Sequence, residues 1–414
     1  MERNAATAGC DSTQSLVAST ICRSTFEPSG LLQVPHQVLI HCRQNVTLFL
    51  QQPAKRADTT KTFPVSLASL LEMNVRTACT VLLLTPLSIA CLGVADEHAQ
   101  PAANDALARY GKCDARLHDP SALVRDGDRT WLFSTGRLVS SWHSTDLVEW
   151  QRGPSVFREM PAWVRDVVPD QRGHFWAPDV IKLNGRFLLY YSISSFGKNT
   201  SAIALATTAS LNPESDDYSW TDQGIVIQST ATDDFNAIDP AIIQTDAGEL
   251  WMAFGSFWSG LKLIQLDPAT GLRLDPKAEP VPLAWSEEIE AAHIVERDGW
   301  FFLFLNHGIC CRGVESSYEI RVGRSRSITG PYFDREGRSL RHGGGTPLLA
   351  SDGPFIGPGH ANVTLRPEGD LLHCHFYDAT ERGRSYLAIM PIEWDARGWP
   401  VVPAFTSSEQ PTRH

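Results

Sequence analysis

Acidic and imidazole side chains open five apolar, strand-like stretches of this chain, and a turn containing glycine follows each within a few residues. The openers are His118-Asp119-Pro120, Ala177-Pro178-Asp179, Ile238-Asp239-Pro240, Glu290-Ala291-Ala292-His293 and Gly359-His360. The turns are Asp126-Gly127, Asn184-Gly185, Ala247-Gly248, Asp298-Gly299 and Glu368-Gly369. Openers recur at intervals of about 50 to 70 residues, near and above the range in which a repeat signals a propeller or solenoid. Each propeller blade begins with its innermost strand, so one opener per blade points into a shared channel. Carboxylates crowded and desolvated there push one another's pKa values up, and one keeps its proton near neutral pH while another stays ionised. Such a pair meets the requirement for glycoside hydrolysis, an acid to protonate the leaving oxygen and a base to activate water. Asp119, Asp239 and Glu290 are the candidates, with His360 as a channel-lining hydrogen bonder. Any one of these acids alone reads as a turn or cap residue; the repetition argues for a site.

The elements that must position them are strands almost throughout. From Asp114 onward, segments such as Arg129 to Thr135, Phe187 to Ser194, Leu250 to Phe254 and Trp300 to Leu305 are short, aromatic and β-branched, separated by Gly, Asp, Asn and Pro. Long helical periodicity is absent. Five four-stranded blades fit about 300 residues. Two packed sandwiches, the competing all-β arrangement, do not require equivalent polar residues at the start of every unit. The expected fold class is all-β, a five-bladed β-propeller with the active site at the central axis.

Longer runs carry a resemblance. His118-Asp119-Pro120-Ser121, Phe175-Trp176-Ala177-Pro178-Asp179-Val180, Tyr190-Tyr191-Ser192 and Asn236 to Pro240 lie in order along the chain. Phe254-Gly255-Ser256-Phe257-Trp258-Ser259-Gly260, Cys310-Cys311-Arg312-Gly313, Ile320 to Ser325 and Gly357-Pro358-Gly359-His360 follow. Together they resemble glycoside hydrolase family 43, most closely its endo-1,5-α-L-arabinanases. The resemblance implies Asp119 as general base, Glu290 as general acid and Asp239 as the carboxylate that orients the acid and raises its pKa. It implies inversion, hence a carboxyl separation of roughly 6.5–9.5 Å. It further implies substrate contacts at Asp119, Gly197, Asn236, Ala237, Ile238, Asp239, Ser256, Phe257 and Trp258. Trp176 either lines the same groove or wedges between blades. His360 matches a histidine near an axial ion, usually calcium with a largely water shell. The implied partner is plant cell-wall arabinan or arabino-oligosaccharides. An exo-acting α-L-arabinofuranosidase or β-xylosidase of the same fold, and a non-catalytic polysaccharide-binding propeller, are the alternatives. Departures from the family pattern at Ala292-His293, Asn306-His307 and Ala361 touch the cleft wall and leave chain-length preference open. Cys310-Cys311 is either a vicinal disulfide or two free thiols.

Composition bounds the rest. The chain has 414 residues, is 43% hydrophobic and carries a net charge of -11, which argues against a nucleic-acid partner. Residues 1–72 lack sustained periodicity and read as an unassigned extension or a misplaced start. Met73-Asn74-Val75-Arg76, an apolar run to Val94 and Gly93-Val94-Ala95 read as a signal peptide over 73–95. That predicts a secreted or periplasmic protein without stable membrane association; a membrane anchor is the alternative for the same run. A linker over 96–113, a catalytic propeller over 114–405 and a tail over 406–414 complete the expected organisation. Of nine cysteines only Cys113, Cys310, Cys311 and Cys374 fall in the expected mature domain, and no CxxC spacing suggests zinc.

Overall fold

A computed structural model describes residues 107, 108 and 110–402. Five antiparallel sheets follow one another along the chain as blades I to V. Their innermost strands are Val124–Asp126, His174–Leu183, Ala241–Gln244, Ile289–Arg297 and Phe355–Thr364. Every expected glycine turn joins an innermost strand to the second strand of its blade, with positive φ at Gly127, Gly185, Gly248, Gly299 and Gly369. In two of them, Asn184-Gly185 and Asp298-Gly299, both residues are left-handed, the geometry that lets a two-residue hairpin follow the strand twist. The expected signal peptide and the segments 1–72 and 406–414 lie outside the described residues. Among those described, no helix is long and apolar enough to cross a membrane.

The middle strands do not alternate. Arg186–Ile193, Ser201–Thr208 and Leu371–Asp378 are buried almost residue for residue, because each blade is covered on both faces by its neighbours. Burial accordingly falls into five apolar clusters, one in each seam between adjacent blades. Most outer strands are short, the nine-residue Thr221–Ser229 of blade II excepted, and both residues of Gln151–Arg152 are exposed; short edges limit pairing with another chain.

Blade V has three strands of its own, Phe355–Thr364, Leu371–Asp378 and Arg384–Pro391. Its fourth comes from the other end of the fold. Cys113 N–H donates to Leu387 O at 2.9 Å, Leu387 N–H to Ala115 O at 3.0 Å, and Ile389 N–H to Gly111 O at 3.0 Å. Leu107, 1% exposed, joins the core between blades IV and V, and Cys113, Ala115 and Leu117 fill the seam between V and I. The segment expected to end a linker at 113 is therefore the clasp that closes the ring. It has strand-compatible residues but no local turn signal, since its partner lies about 270 residues away.

Each innermost strand, or the residues just before it, contains one non-glycine residue with positive φ. These are Asp119 (54°), Ala177 (39°), Asp239 (58°), Ala291 (56°) and His360 (54°). Register shifts at Trp176/Asp179, Glu290/His293 and Gly359/Asn362 mark the same places as bulges. A bulge re-aims the side chains around it. Asp119, Asp239 and His360 are thus true equivalents. Glu290 precedes its blade's left-handed residue by one, and Asp179 follows its own by two, so the five openers are not in one register.

Candidate active site

The bulges surround one cavity of about 1130 Å³, which opens at the end of the ring where the innermost strands begin. Asp119, Asp239, Glu290 and His360 line it, from blades I, III, IV and V. Trp176, Gly197, Asn236, Ile238, Ser256, Phe257 and Trp258 line it too. Ala237 does not: it is fully buried behind the wall, where its N–H donates to Ser229 Oγ at 2.9 Å. Phe196 is 83% exposed and Trp258 41%, so two large apolar faces stand at the rim.

Asp119 is held on both oxygens. His118 Nδ1 lies 2.7 Å from Oδ1, and Thr135 donates to Oδ2 at 2.5 Å. Thr135 in turn accepts from Ala177 N–H at 2.8 Å, so blade II positions the hydroxyl that positions a blade I acid. His360 Nδ1 and His375 Nδ1 stand 3.6 and 3.5 Å from Oδ1. Burial by itself raises a carboxyl's pKa, but the charge and hydrogen bond of His118 outweigh it, and Asp119 sits far below the ordinary range. The reciprocal holds for His118. Burial disfavours its proton, yet Asp119 holds it well above the usual value.

Glu290 meets the opposite environment. Burial is the main cause of its rise to about 7, Asp119 adds to it, and the Ser256 hydroxyl, 2.7 Å from Oε2, pulls the other way. Tyr318 donates to its second oxygen, Oε1. Asp239 is raised well above the carboxylate range by burial first and then by the charges of Glu290 and Asp119. Both members of the Asp239–Glu290 pair are thus biased toward protonation, whereas Asp119 is biased toward ionisation.

Asp179 is apart from this group. Its carboxylate accepts from Ala122 N–H of blade I at 2.9 Å and from Ile242 N–H of blade III at 2.7 Å. It fastens three blades together beneath the cavity, and burial lifts it to about 6. His293 also leaves the site. It packs buried with Nε2 3.3 Å from Val363 O, and its pKa falls to about 3, chiefly through desolvation. Asn306 reaches across to blade V, where its Oδ1 accepts from His360 N–H at 2.9 Å.

Thr135, Tyr318, His375 and Tyr377 touch the acids or their partners, and sequence reasoning gave none of them a role. All four come from second or third strands or the loops beside them, where no repeat marks them. His118 was in view only as the neighbour of Asp119; the alternation of imidazole, acid and proline was the available signal.

A family model described as glycosyl hydrolases family 43 matches residues 113–400. An extracellular exo-α-(1→5)-L-arabinofuranosidase of Cellvibrio japonicus is 42% identical over 299 residues, covering 69% of this chain and 86% of that protein. An extracellular endo-α-(1→5)-L-arabinanase of Bacillus subtilis is 38% identical over 299 residues, covering 70% and 89%. Among solved structures, the Cellvibrio cellulosa α-L-arabinanase complexed with arabinohexaose is similar with a TM-score of 0.67 at 40% identity, over 70% of this chain and 96% of that one.

Proposed function

The chain belongs to glycosyl hydrolases family 43 and is a glycosidase, and from that premise we propose that it cleaves internal α-1,5-L-arabinofuranosidic bonds of arabinan with inversion. One observation carries the proposal. Two carboxyls on one cavity wall are biased in opposite directions, Glu290 toward its protonated form and Asp119 toward its ionised one. Glu290 donates its proton to the leaving oxygen, steadied by Ser256 and Tyr318. Asp119, oriented by His118 and Thr135, takes the proton of the attacking water. Asp239 orients the acid and, as a neighbouring carboxylate, disfavours its ionisation. Phe257, Trp258 and Trp176 offer faces for furanose rings, while Gly197 and the Asn236 and Ile238 positions let a chain approach the wall.

Product analysis on debranched arabinan tests this reading. Mixed short oligosaccharides in the first minutes are expected, and NMR of the nascent product should show the inverted anomer. Monosaccharide alone from the outset would favour the exo-acting reading, which the name of the 42% identical relative supports. Extracellular relatives support a secreted protein, with the signal over 73–95 as the proposed export element; N-terminal sequencing of exported protein is its test.

The axial ion expected from the resemblance is a further part of the proposal. His360 turns Nδ1 toward Asp119, and Asn362 Oδ1, His293 Nδ1, His373 Nδ1 and His375 Nε2 are buried without partners. Unpartnered polar atoms on two neighbouring blades suit water or a hydrated cation, and calcium prefers oxygen, so a mostly aqueous shell touching His360 fits this set. When bound, the ion supplies positive charge near Asp119. Chelation should lower the melting temperature, and added calcium should restore it.

A further inference from the structure

Two thiols that the acid and base leave idle stand on the same cavity wall. Cys310 and Cys311 both line it, Cys310 partly buried and Cys311 exposed, and neither is cross-linked. Cys311 is left-handed, with φ at 65°, and its N–H donates to Tyr377 Oη at 2.8 Å. That phenol oxygen lies 2.6 Å from His118 Nε2, and Cys311 Sγ lies 4.0 Å from the same nitrogen. The other nitrogen of His118 holds Asp119. A solvent-facing sulfur is therefore two contacts away from a reacting carboxylate.

The hydrogen bond from Cys310, aided by His118, pulls the Cys311 thiol down to about 5, while Cys310 itself is pushed up chiefly by that same hydrogen bond. An accessible thiolate beside a second thiol is the environment of a reactive cysteine, not an inert one. By contrast Cys113 and Cys374 are buried and raised by desolvation.

We propose that Cys310 and Cys311 form a modification site, a vicinal dithiol that reacts with low-molecular-weight disulfides and, once oxidised, slows the hydrolase. The Cys311 thiolate attacks one sulfur of the small disulfide, forming a mixed disulfide and expelling one thiolate. Cys310 then attacks Cys311 Sγ, its proton passing to water, and the second small thiolate leaves. Two protein thiols are oxidised and one disulfide is reduced to two thiols. A ring closed across a single peptide unit departs from relaxed disulfide geometry, which makes it easily reduced and the modification reversible. Closure draws the Cys311 sulfur away from His118, the group that orients Asp119. This slowing rests on the acid–base reading above; the thiol chemistry does not.

The full chain treated with oxidised glutathione, alkylated and digested, tests both parts. The peptide carrying Cys310 and Cys311 should be unalkylated and two hydrogen masses lighter. Hydrolysis of arabinan should fall by about tenfold, the worth of one pKa unit of lost interaction, and dithiothreitol should restore it. Cys310→Ser should halt at a glutathione adduct on Cys311. If the peptide stays fully alkylated the site is overturned. If the bond forms and hydrolysis is undiminished, the control over catalysis is overturned. Mass alone decides the first, so an error about the substrate cannot be mistaken for a failure of the thiol chemistry.

Discussion

Ser256 and Glu290 carry the sharpest expectations at the residue scale. Ser256 donates to the ionised form of Glu290, so Ser256→Ala removes a stabiliser of that charge and raises its pKa. Glu290 must be protonated to act as acid; activity is present below its pKa and lost as pH rises through about 7. The alkaline limb of kcat/KM should therefore move upward in Ser256→Ala, and a limb that stays or moves down contradicts the assignment. Glu290→Gln should reduce kcat by about 10²- to 10⁴-fold, the worth of a positioned general acid. The loss should be far smaller on aryl glycosides, whose leaving groups need no proton. Asp119 and Asp239 were legible because each sits before a proline at the same point of a repeat. Glu290 was legible only as an acid near such a point; its one-residue offset follows from the bulge at Ala291, which no single residue type announces.

Among the elements, the innermost strands do two jobs, and the sequence displays only one. Their turns and polar openers were readable because a hairpin of fixed length needs particular residues. The ties between them were not, since each joins groups from different blades. Asp179 is the clearest case: read as an opener, it serves as a clamp on Ala122 and Ile242. Asp179→Ala leaves the partly buried N–H of Ala122 and the buried N–H of Ile242 without acceptors, the latter at a cost of about 1–3 kcal/mol. Chemical denaturation should show that loss while kcat per folded molecule changes little. Because burial raises this carboxyl to about 6, its protonated form is the one the fold favours. Its stabilising contribution is full below the unfolded value and declines as pH rises through about 6.

For the whole molecule, the clasp decides whether a ring exists. A chain beginning at residue 106 keeps Leu107 and the bonds to blade V given above, and should match the full chain in melting temperature and activity. One beginning at residue 116 loses the fourth strand of blade V together with the buried Leu107, Cys113 and Ala115. Burying one leucine alone is worth about 1.5–3 kcal/mol, so this chain should melt many degrees lower or fail to fold. Five blades were legible from spacing, but not which segment completes the last, because pairing across the whole fold leaves no local trace.

The clasp also sets an order of events during synthesis. Domains generally begin folding from the end that leaves the ribosome first, yet here the backbone partner of an early segment lies in the last blade to emerge. The segment from Gly111 to Ala115 must wait for Leu387 and Ile389, and His360, His375 and Tyr377 arrive with that same blade. A nascent or prematurely terminated chain thus holds Asp119, Asp239 and Glu290 with His118, Thr135, Ser256 and Tyr318, but lacks the surroundings that His360, His375 and Tyr377 supply. The wall of the cavity is complete only when the last blade has closed the ring.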